Sequence, residues 1–147
     1  MTKNLDFSKQ EMYEKLLNLL MKNGKKNTVR KIVNKALKKA SLKLPVKDIH
    51  TILHTAIYNL SPDIELKSKR IGSTTYQIPV AVSLERKINN GIKQFVEILI
   101  LRKERTLIER ITNEIIDSYN NKGLAVKKRD EIHKLAEANK SFSHFNW

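Results

Sequence analysis

The chain has 147 residues, of which 29 are Lys or Arg and 15 are Asp or Glu, so its formal net charge is +14 at neutral pH. Hydrophobic residues make up 40% of the chain, which is enough for a modest core and argues against a disordered protein. The absence of cysteine excludes a disulfide framework, a thiolate metal site and a thiol nucleophile.

Two helices are predicted in the N-terminal part. Ser8 and Glu11 have capping-box spacing behind Phe7, and leucines then recur at helical spacing as far as Asn23-Gly24. The second helix has a cationic surface opposite one apolar stripe, which consists of Val29, Ile32, Val33, Ala36, Leu37 and Ala40.

A third helix is predicted to begin at Pro45, where the missing N–H costs nothing, and to end before Ser61-Pro62. The hydrophobic period then changes from roughly 3.6 to 2, which predicts one β-hairpin with its turn within Lys69–Ser73. Gly72 can take positive φ in this turn, and Pro79 indicates an edge strand. Because two strands cannot form a core alone, we expect the hairpin to pack against helices and project from them.

The fourth helix is predicted to begin at Leu84 and end near Arg102. Its many apolar residues, including Ile98, Ile100 and Leu101, indicate burial on more than one side. We therefore expect this helix to form the centre of the core.

Two more helices complete the chain. Thr106 and Glu109 form a second capping box, and Gly123 is placed to end the fifth helix. The sixth begins around Val126 or Arg129, with three apolar residues expected to face inward: Ile132, Leu135 and Ala136. The predicted fold is therefore mainly α, one domain over residues 1–147 of about six helices with one protruding β-hairpin.

The positive charge is unevenly distributed. No acidic residue occurs between Glu14 and Asp48, whereas eleven basic residues do: Lys15, Lys22, Lys25, Lys26, Arg30, Lys31, Lys35, Lys38, Lys39, Lys43 and Lys47. Two further basic clusters are Lys67, Lys69 and Arg70 near the hairpin tip, and Lys127, Lys128, Arg129, Lys134 and Lys140 on the last helix. Such charges on one small domain repel each other and favour a polyanion, so three clusters indicate nucleic acid more strongly than a merely solvated face.

Other classes of partner and site are less well supported. The chain has no run of about 18 apolar residues, no signal-peptide core and no acylation signal, so no membrane partner is expected. His50 and His54 have i,i+4 spacing, but the Glu of a zincin helix and a third ligand are missing, so we expect structural histidines and no metal or cofactor. No nucleophile elbow, triad or P-loop is present, and no enzyme is predicted.

The aromatic residues leave two interpretations open. Tyr76 fits hairpin packing as well as base stacking, and the C-terminal group of Phe142, His144, Phe145 and Trp147 fits either packing onto the domain or stacking on RNA.

The chain resembles the bacterial-type small-subunit ribosomal protein S-seven family. The stretch from Gly123 to Trp147 closely resembles the end of that family, Asn23-Gly24-Lys25-Lys26 with Ile32-Val33 resembles a second signature, and Lys69 to Val80 resembles the family's hairpin. These segments occur in the same order over nearly the whole chain.

The resemblance implies a structural, non-catalytic protein with six helices and a β-ribbon. Such a protein binds small-subunit rRNA early, at the 3′ major domain, nucleates the subunit head, and lies beside neighbouring ribosomal proteins. The ribbon and adjacent helices would face tRNA in the exit site and the mRNA path, with Lys69, Arg70, Gly72 and Tyr76 as the expected facing residues. No obligate homo-oligomer is implied.

Carried over by position, the expected rRNA contacts are Lys25, Lys26, Arg30, Lys31, Lys67, Lys69, Arg70, Lys127, Lys128 and Arg129. Lys35, Lys38, Lys134 and Lys140 lie on the same predicted helices and are expected to bind rRNA with them. Two positions depart from the family pattern: the basic N-terminal arm is reduced to Lys3 and Lys9, and Asn146 stands where Arg is usual before Trp147. Contacts that an arm or an arginine would make there are not carried over.

The sequence also predicts a cellular location and leaves one rival function. The 22 Lys, 13 Asn and 16 Ile suit an AT-rich coding sequence, so we place the ribosome in a mitochondrion ahead of a plastid or the bacterial cytoplasm. The rival is a DNA-binding or nucleoid-associated helical protein, which would more often dimerise and would not need this ribbon.

Overall fold

The computed structural model describes residues 2–145 of the chain and the side chains of residues 9–142. Within this range the chain forms six α-helices, one antiparallel hairpin and a terminal 3₁₀ helix. Their bounds are α1 Thr2–Leu20, α2 Lys26–Lys43, α3 Ile49–Leu60, β1 Ile64–Ile71, β2 Thr74–Ala81, α4 Leu84–Leu101, α5 Leu107–Tyr119, α6 Leu124–Ala138, and the 3₁₀ helix Lys140–Phe145. The predicted mainly helical fold with one hairpin is confirmed.

Helix α3 is the centre of the helical part, because it packs against each of the other five helices. Its apolar residues are fully or almost fully buried: Ile52, Leu53, Ala56, Ile57 and Leu60. An apolar stripe that is wide for so short a helix requires neighbours on several sides. The core is therefore built around α3.

The prediction that α4 forms this centre is wrong. Helix α4 buries one face, which includes Ile92 and Phe95, but Ile100 is 74% exposed and Leu101 is 66% exposed. The reason is helical geometry, since these two residues continue the outward row that begins at exposed Lys93. Apolar character alone did not place them inside.

Helices α1 and α3 begin at other residues than predicted. Helix α1 begins at Thr2 and not at Ser8, because neither Pro nor Gly stops the helix before the Ser8 position. Helix α3 begins at Ile49, after Pro45. Across its first turn the Thr51 hydroxyl donates to Asp48 Oδ2 at 2.6 Å, and this bond lowers the pKa of the Asp48 carboxyl.

The connection between α5 and α6 also differs from the prediction. The cap at Thr106 is confirmed, since its Oγ1 accepts from the Glu109 N–H at 3.2 Å. Helix α5 ends at Tyr119, and Gly123 lies directly before α6 with φ of 94°, where a Cβ would approach Asp117 Cβ to 2.9 Å. Gly123 therefore serves the start of α6 and not the end of α5, and α6 begins at Leu124, ahead of the predicted Val126 or Arg129.

The hairpin closes through a two-residue turn, Gly72-Ser73, and Gly72 has the predicted positive φ, 64°. Gly at the first turn position with positive φ is the pattern of type II′ hairpins. Residue pairs along the two strands alternate between hydrogen-bonded and non-hydrogen-bonded, starting from the hydrogen-bonded closing pair Ile71 and Thr74. Pro79 and Leu66 therefore form a non-hydrogen-bonded pair, in which the missing N–H of proline is not needed. This alternation accommodates proline in β2.

The ribbon packs against α6 and the terminal 3₁₀ helix. The Tyr76 and Phe142 rings lie 4.8 Å apart between centroids, and Ile78 is completely buried. At the base, the Arg86 guanidinium donates to both Glu65 carboxylate oxygens, at 2.6 and 2.8 Å. The expectation that the hairpin rests on helices is confirmed.

A buried ion cluster joins the end of α4 to α5. The Arg102 guanidinium contacts Glu104 at 2.6 Å, Glu114 at 2.5 Å and Asp117 at 3.1 Å, and the Glu114 side chain is completely buried. Arg102 lowers the pKa of the Glu104 carboxyl to about 2, and the carboxylates raise the pKa of Arg102. Among the described residues, Glu114 is the only charged one that is completely buried, and Arg102 compensates its charge.

We predict that Arg102→Ala strongly destabilises the fold, because it leaves the Glu114 carboxylate buried without its partner. Removing one member of a buried ion pair costs about 3–5 kcal/mol. Chemical denaturation monitored by circular dichroism measures this loss. The matched control is Arg105→Ala, an exposed arginine three residues away, which should change stability by no more than about 0.5 kcal/mol. Equal stability of the two variants would contradict the role assigned to Arg102.

Candidate nucleic-acid interface

The first basic surface lies on α2, and we call it the α2 surface: Lys25, Lys26, Arg30, Lys31, Lys35 and Lys38. Lys31, Lys35 and Lys38 have i, i+4 and i+7 spacing, and all three are exposed. The opposite side of α2 is buried in the core, through Val33 and Leu37 for example. The predicted division of this helix into a core face and a cationic face is confirmed.

Part of the charge on α2 is compensated from α1. Lys26 Nζ lies 2.8 Å from a Glu14 carboxylate oxygen and lowers the pKa of that carboxyl, and Arg30 lies 3.9 Å from the other oxygen. Four cations of this surface make no ion pair among the described side chains: Lys25, Lys31, Lys35 and Lys38. The basic residues that do form ion pairs there are Lys15, Lys26, Arg30, Arg86, Lys87, Arg102, Lys128 and Arg129. The exposed row of α2 therefore keeps its charge for an external anion.

The second surface, the ribbon surface, comprises Lys67, Lys69, Arg70, Gly72 and Tyr76. The strand register places Lys69 opposite Tyr76 and Arg70 opposite Thr75. Because successive side chains of a strand point to opposite faces, Lys67 and Lys69 share a face while Arg70 lies on the other. The ribbon thus offers cations on both faces.

The third surface, the α6 surface, comprises Lys127, Lys128, Arg129, Lys134 and Lys140. Lys127 and Lys134 are exposed, seven residues apart on one side of α6, and Lys128 pairs with Glu97 at 3.0 Å. Lys140 is exposed but belongs to the 3₁₀ helix and not to α6. Of the residues predicted to face inward, Ala136 is buried, Ile132 is half-buried and Leu135 is 53% exposed, so the Leu135 prediction is wrong.

Arg129 is turned toward the protein. Its guanidinium donates to the main-chain carbonyl of Asn59, to Asn121 Oδ1 at 3.2 Å and to Asp130 Oδ1 at 2.8 Å. These bonds join α6 to the end of α3 and to the loop after α5. Arg129 therefore has a structural role that its place in a basic run does not reveal.

The fold brings two of the three surfaces together. Helix α6 packs against β1, and the 3₁₀ helix packs against β2, so the elements that carry the ribbon and α6 surfaces are in contact. Helix α2 packs chiefly against α1, α3 and α5, which places its cations on another side of the core.

A polar cluster fixes the base of the ribbon, where the chain leaves α3. Lys87 Nζ lies 2.5 Å from Asp63 Oδ1 and 3.9 Å above the centre of the Tyr58 ring. His133 Nε2 accepts the Asp63 main-chain N–H at 3.0 Å. The pKa of the Asp63 carboxyl is lowered, chiefly by its hydrogen bond with Lys87. The direction of the ribbon thus depends on contacts from α4 and α6.

The structure also shows a groove along α4 that sequence reasoning missed. The groove is polar near Asn89 and more apolar where Leu19 and Ile92 line it. Two adjoining depressions of about 350 and 280 Å³ share Asn89 and Lys93. Lys15 Nζ from α1 donates to Asn89 Oδ1 at 3.0 Å within this groove. The available signal was the adjacent Asn89-Asn90 pair, followed by Lys93 one turn later. Amide and ammonium groups in this arrangement suit phosphate and base edges.

The two histidines considered as metal ligands serve packing. His50 meets the Tyr13 ring edge-on at 5.0 Å, and His54 stacks on Tyr58 at 6.3 Å between ring centroids. Burial lowers the pKa of His54. Within the part of the chain that the structure describes, no three His, Asp or Glu side chains are placed to hold a metal ion. In the same part, no helix combines the length and apolar character needed to cross a membrane.

One aromatic alternative is now decided for Phe142, which packs on Tyr76 of the ribbon. The side chains of His144 and Phe145, together with Asn146 and Trp147, lie outside the described residues. For that segment, packing onto the domain and stacking on RNA both stay predictions.

Comparisons with known proteins give a consistent result. The family model described as "Ribosomal protein S7p/S5e" matches residues 2–140. The chain is 43% identical over 136 residues to small ribosomal subunit protein uS7 of Geotalea uraniireducens, with 90% of this chain and 85% of that protein aligned. It is 42% identical over 137 residues to the proteins of the same name from Symbiobacterium thermophilum and Shewanella sediminis, each alignment covering 93% of this chain and 87% of the relative.

We predict that replacing Lys31, Lys35 and Lys38 by Gln weakens RNA binding without unfolding the chain. Exposed substitutions usually change stability by less than about 0.5 kcal/mol each, and the salt dependence of binding should flatten by roughly one unit per lost phosphate contact. Thermal melting and RNA titration at several salt concentrations measure the two effects.

A charge-matched control separates local contacts from net charge. Lys103→Gln, Arg105→Gln and Lys122→Gln remove three exposed cations outside the three surfaces, and this variant should keep the original salt slope. If both triple variants show the same slope, α2 does not carry the phosphate contacts.

Proposed function

Because the chain belongs to the ribosomal protein S7p/S5e family, we propose that its basic surfaces bind the rRNA of the small-subunit head and nucleate assembly of that head. As a member of the family the chain is a structural, non-enzymatic constituent of the small ribosomal subunit, and its partners are rRNA and neighbouring ribosomal proteins. The DNA-binding alternative is not favoured by this membership.

One observation carries the assignment to particular residues. The outward row of α2, Lys31, Lys35 and Lys38, is exposed and makes no ion pair in the described structure, while its opposite side is locked into the core. A rigid row of uncompensated ammonium groups exchanges the counterions of a phosphate backbone at little conformational cost. We assign the α2 surface to rRNA.

The other surfaces extend the proposed interface, with residues 1–147 acting as one rRNA-binding domain. Lys127, Lys134 and Lys140 are exposed, and α6 packs against β1, so the elements that carry two of the basic areas are in contact. The groove that contains Asn89 and Lys93 adds uncharged donors and acceptors. Arg129 supports this interface by holding α6 on α3.

The ribbon tip is proposed to face tRNA in the exit site and the mRNA path. Support comes from the geometry of the hairpin: its base is held by Glu65 and Asp63, whereas Arg70, Gly72 and Thr75 near the tip are exposed. An anchored base with an exposed cationic end suits contact with a second nucleic acid beyond the rRNA that binds the helices.

The organelle is a separate proposal. A mitochondrial ribosome is suggested only by the Lys, Asn and Ile content, whereas the relatives reported above are bacterial, which supports the bacterial cytoplasm. Immunofluorescence of the tagged chain against mitochondrial and plastid markers decides between the three locations.

We predict that the chain prefers an RNA junction from the small-subunit head over a DNA duplex of equal phosphate number. The 2′-hydroxyls and the folded shape of RNA provide contacts that duplex DNA lacks. Equilibrium binding at matched salt measures this preference, with a scrambled RNA of equal length as the control for charge alone. Equal affinity for the junction and the duplex would remove the support for an rRNA-specific surface.

We further predict that shortening the ribbon impairs exit-site function and leaves the helical domain folded. Replacing Arg70–Thr75 by Asn-Gly retains the Lys69 and Tyr76 pair, the contact of Tyr76 with Phe142, and a two-residue turn suited to the strand twist. Circular dichroism should be unchanged, and subunits should still assemble in part.

The control for the turn sequence is a full-length ribbon in which only Gly72-Ser73 becomes Asn-Gly. Exit-site tRNA occupancy and reading-frame maintenance are then compared for both ribosomes. Shortened ribbons that assemble fully and match the control in both properties would exclude the tip from the functional surface.

A further inference from the structure

The outward row of α4 changes character at its C-terminal end. Lys93 and Glu97 are exposed two turns and one turn earlier, and the row then ends in Ile100 and Leu101, which are 74% and 66% exposed. Isolated exposed aliphatic side chains are ordinary, but two adjacent ones at this exposure form a small contiguous apolar patch. None of the three basic surfaces includes this patch.

Cations follow the patch along the chain, and the carboxylate one turn before it, Glu97, is paired with Lys128. Lys103 and Arg105 follow within five residues and are exposed, and neither makes a hydrogen bond or ion pair among the described side chains, whereas Arg102 between them and the patch is turned into the ion cluster. The same end of the molecule thus combines two uncovered aliphatic side chains with two uncompensated positive charges. A complementary occupant must supply apolar surface and negative charge together.

Charge and chemistry distinguish the possible occupants. A second copy of this chain would bring another net charge of +14 and, in a two-fold contact, would place these cations against each other. RNA would satisfy Lys103 and Arg105, but aliphatic side chains neither stack on bases as aromatic rings do nor bond to phosphate. A protein segment that carries both carboxylates and apolar side chains satisfies both halves of the surface.

We propose that Ile100 and Leu101, with Lys103 and Arg105, dock an acidic segment of a neighbouring small-subunit protein that inserts an apolar side chain against the end of α4. This inference rests on the proposed function, because it takes the neighbour from the ribosomal subunit. It assigns α4 two roles along its length: a polar groove toward RNA near Asn89 and a protein contact at its last turn.

The position of the contact is tested by site-specific cross-linking in intact small subunits. A benzoylphenylalanine introduced in place of Ile100 should cross-link to a subunit protein, at a peptide that contains Asp or Glu beside apolar residues. The same group in place of Leu84, which is 57% exposed at the opposite end of α4, is the matched control and should not yield that peptide. Cross-links from position 100 to rRNA, to a second copy of the chain, or to nothing in assembled subunits would each overturn the proposal.

The contribution of the patch is tested with Ile100→Ser together with Leu101→Ser. Loss of two interface aliphatic side chains should weaken retention of the cross-linked neighbour by roughly tenfold or more in salt washes of assembled subunits. Melting and rRNA affinity of the isolated variant should equal those of the unmodified chain. Leu84→Ser is the control, and unchanged retention of the neighbour in the double variant would contradict the docking role.

The charged half is tested with Lys103→Gln together with Arg105→Gln, which should weaken retention most at low salt, where surface attraction is least screened. Lys39→Gln with Lys43→Gln removes equal charge from exposed positions on α2 and should not release the neighbour. If the unmodified chain fails to enter subunits, the proposed function fails and this inference with it. If the chain enters subunits and the neighbour is retained by all variants, only this inference fails.

Discussion

The packing of α3 against the other five helices is the constraint on which the rest of the structure depends. A chain with a net charge of +14 stores self-repulsion when its cations are held on a compact surface, so apolar burial must offset that repulsion. Leu53, Ile57 and Leu60 lie at the centre of this burial. Every cationic surface is carried by an element that contacts α3 or rests on one that does.

Polar ties then fix the orientation of the cationic elements on this apolar frame. Glu14 holds the start of α2 against α1, Arg129 holds α6 against the last turn of α3, and Lys87 with His133 holds Asp63 where the ribbon begins. These ties use polar and charged residues to fix geometry, and the outward lysines of α2 make no ion pair in the described structure. A preorganised surface loses less conformational entropy on binding than a flexible basic tail would. Some cations therefore form ion pairs that hold elements in place, while others face solvent without an ion pair.

Local patterns in the sequence predicted the parts of the fold that local physics decides. The stripe of α2, the cap at Thr106 and the positive φ of Gly72 all follow from periodicity or backbone sterics, and all three are present in the structure. Signals that admit two explanations were less reliable. Pro45 precedes α3 without starting it, and the Ser8 capping pattern falls inside α1, because neither pattern excludes a neighbouring boundary.

What the sequence could not predict depends on contacts between distant residues. The bond from Arg129 to Asn59 spans 70 positions in the chain. The sequence alone therefore does not distinguish the inward-facing Arg129 from the solvent-exposed residues of the same basic run. The groove at Asn89 requires α1 to approach α4, and the exposure of Ile100 and Leu101 requires knowing where the core ends. The apolar character of these two residues indicated burial. We propose that a neighbouring protein buries them in the assembled subunit.

Sedimentation of the tagged chain through a sucrose gradient tests the central claim most directly. The account predicts that the chain sediments with the small ribosomal subunit, that ribonuclease moves it to the top of the gradient, and that deoxyribonuclease does not. A chain that stays at the top of the gradient in untreated extract, or that is released by deoxyribonuclease alone, would contradict the assignment to small-subunit rRNA.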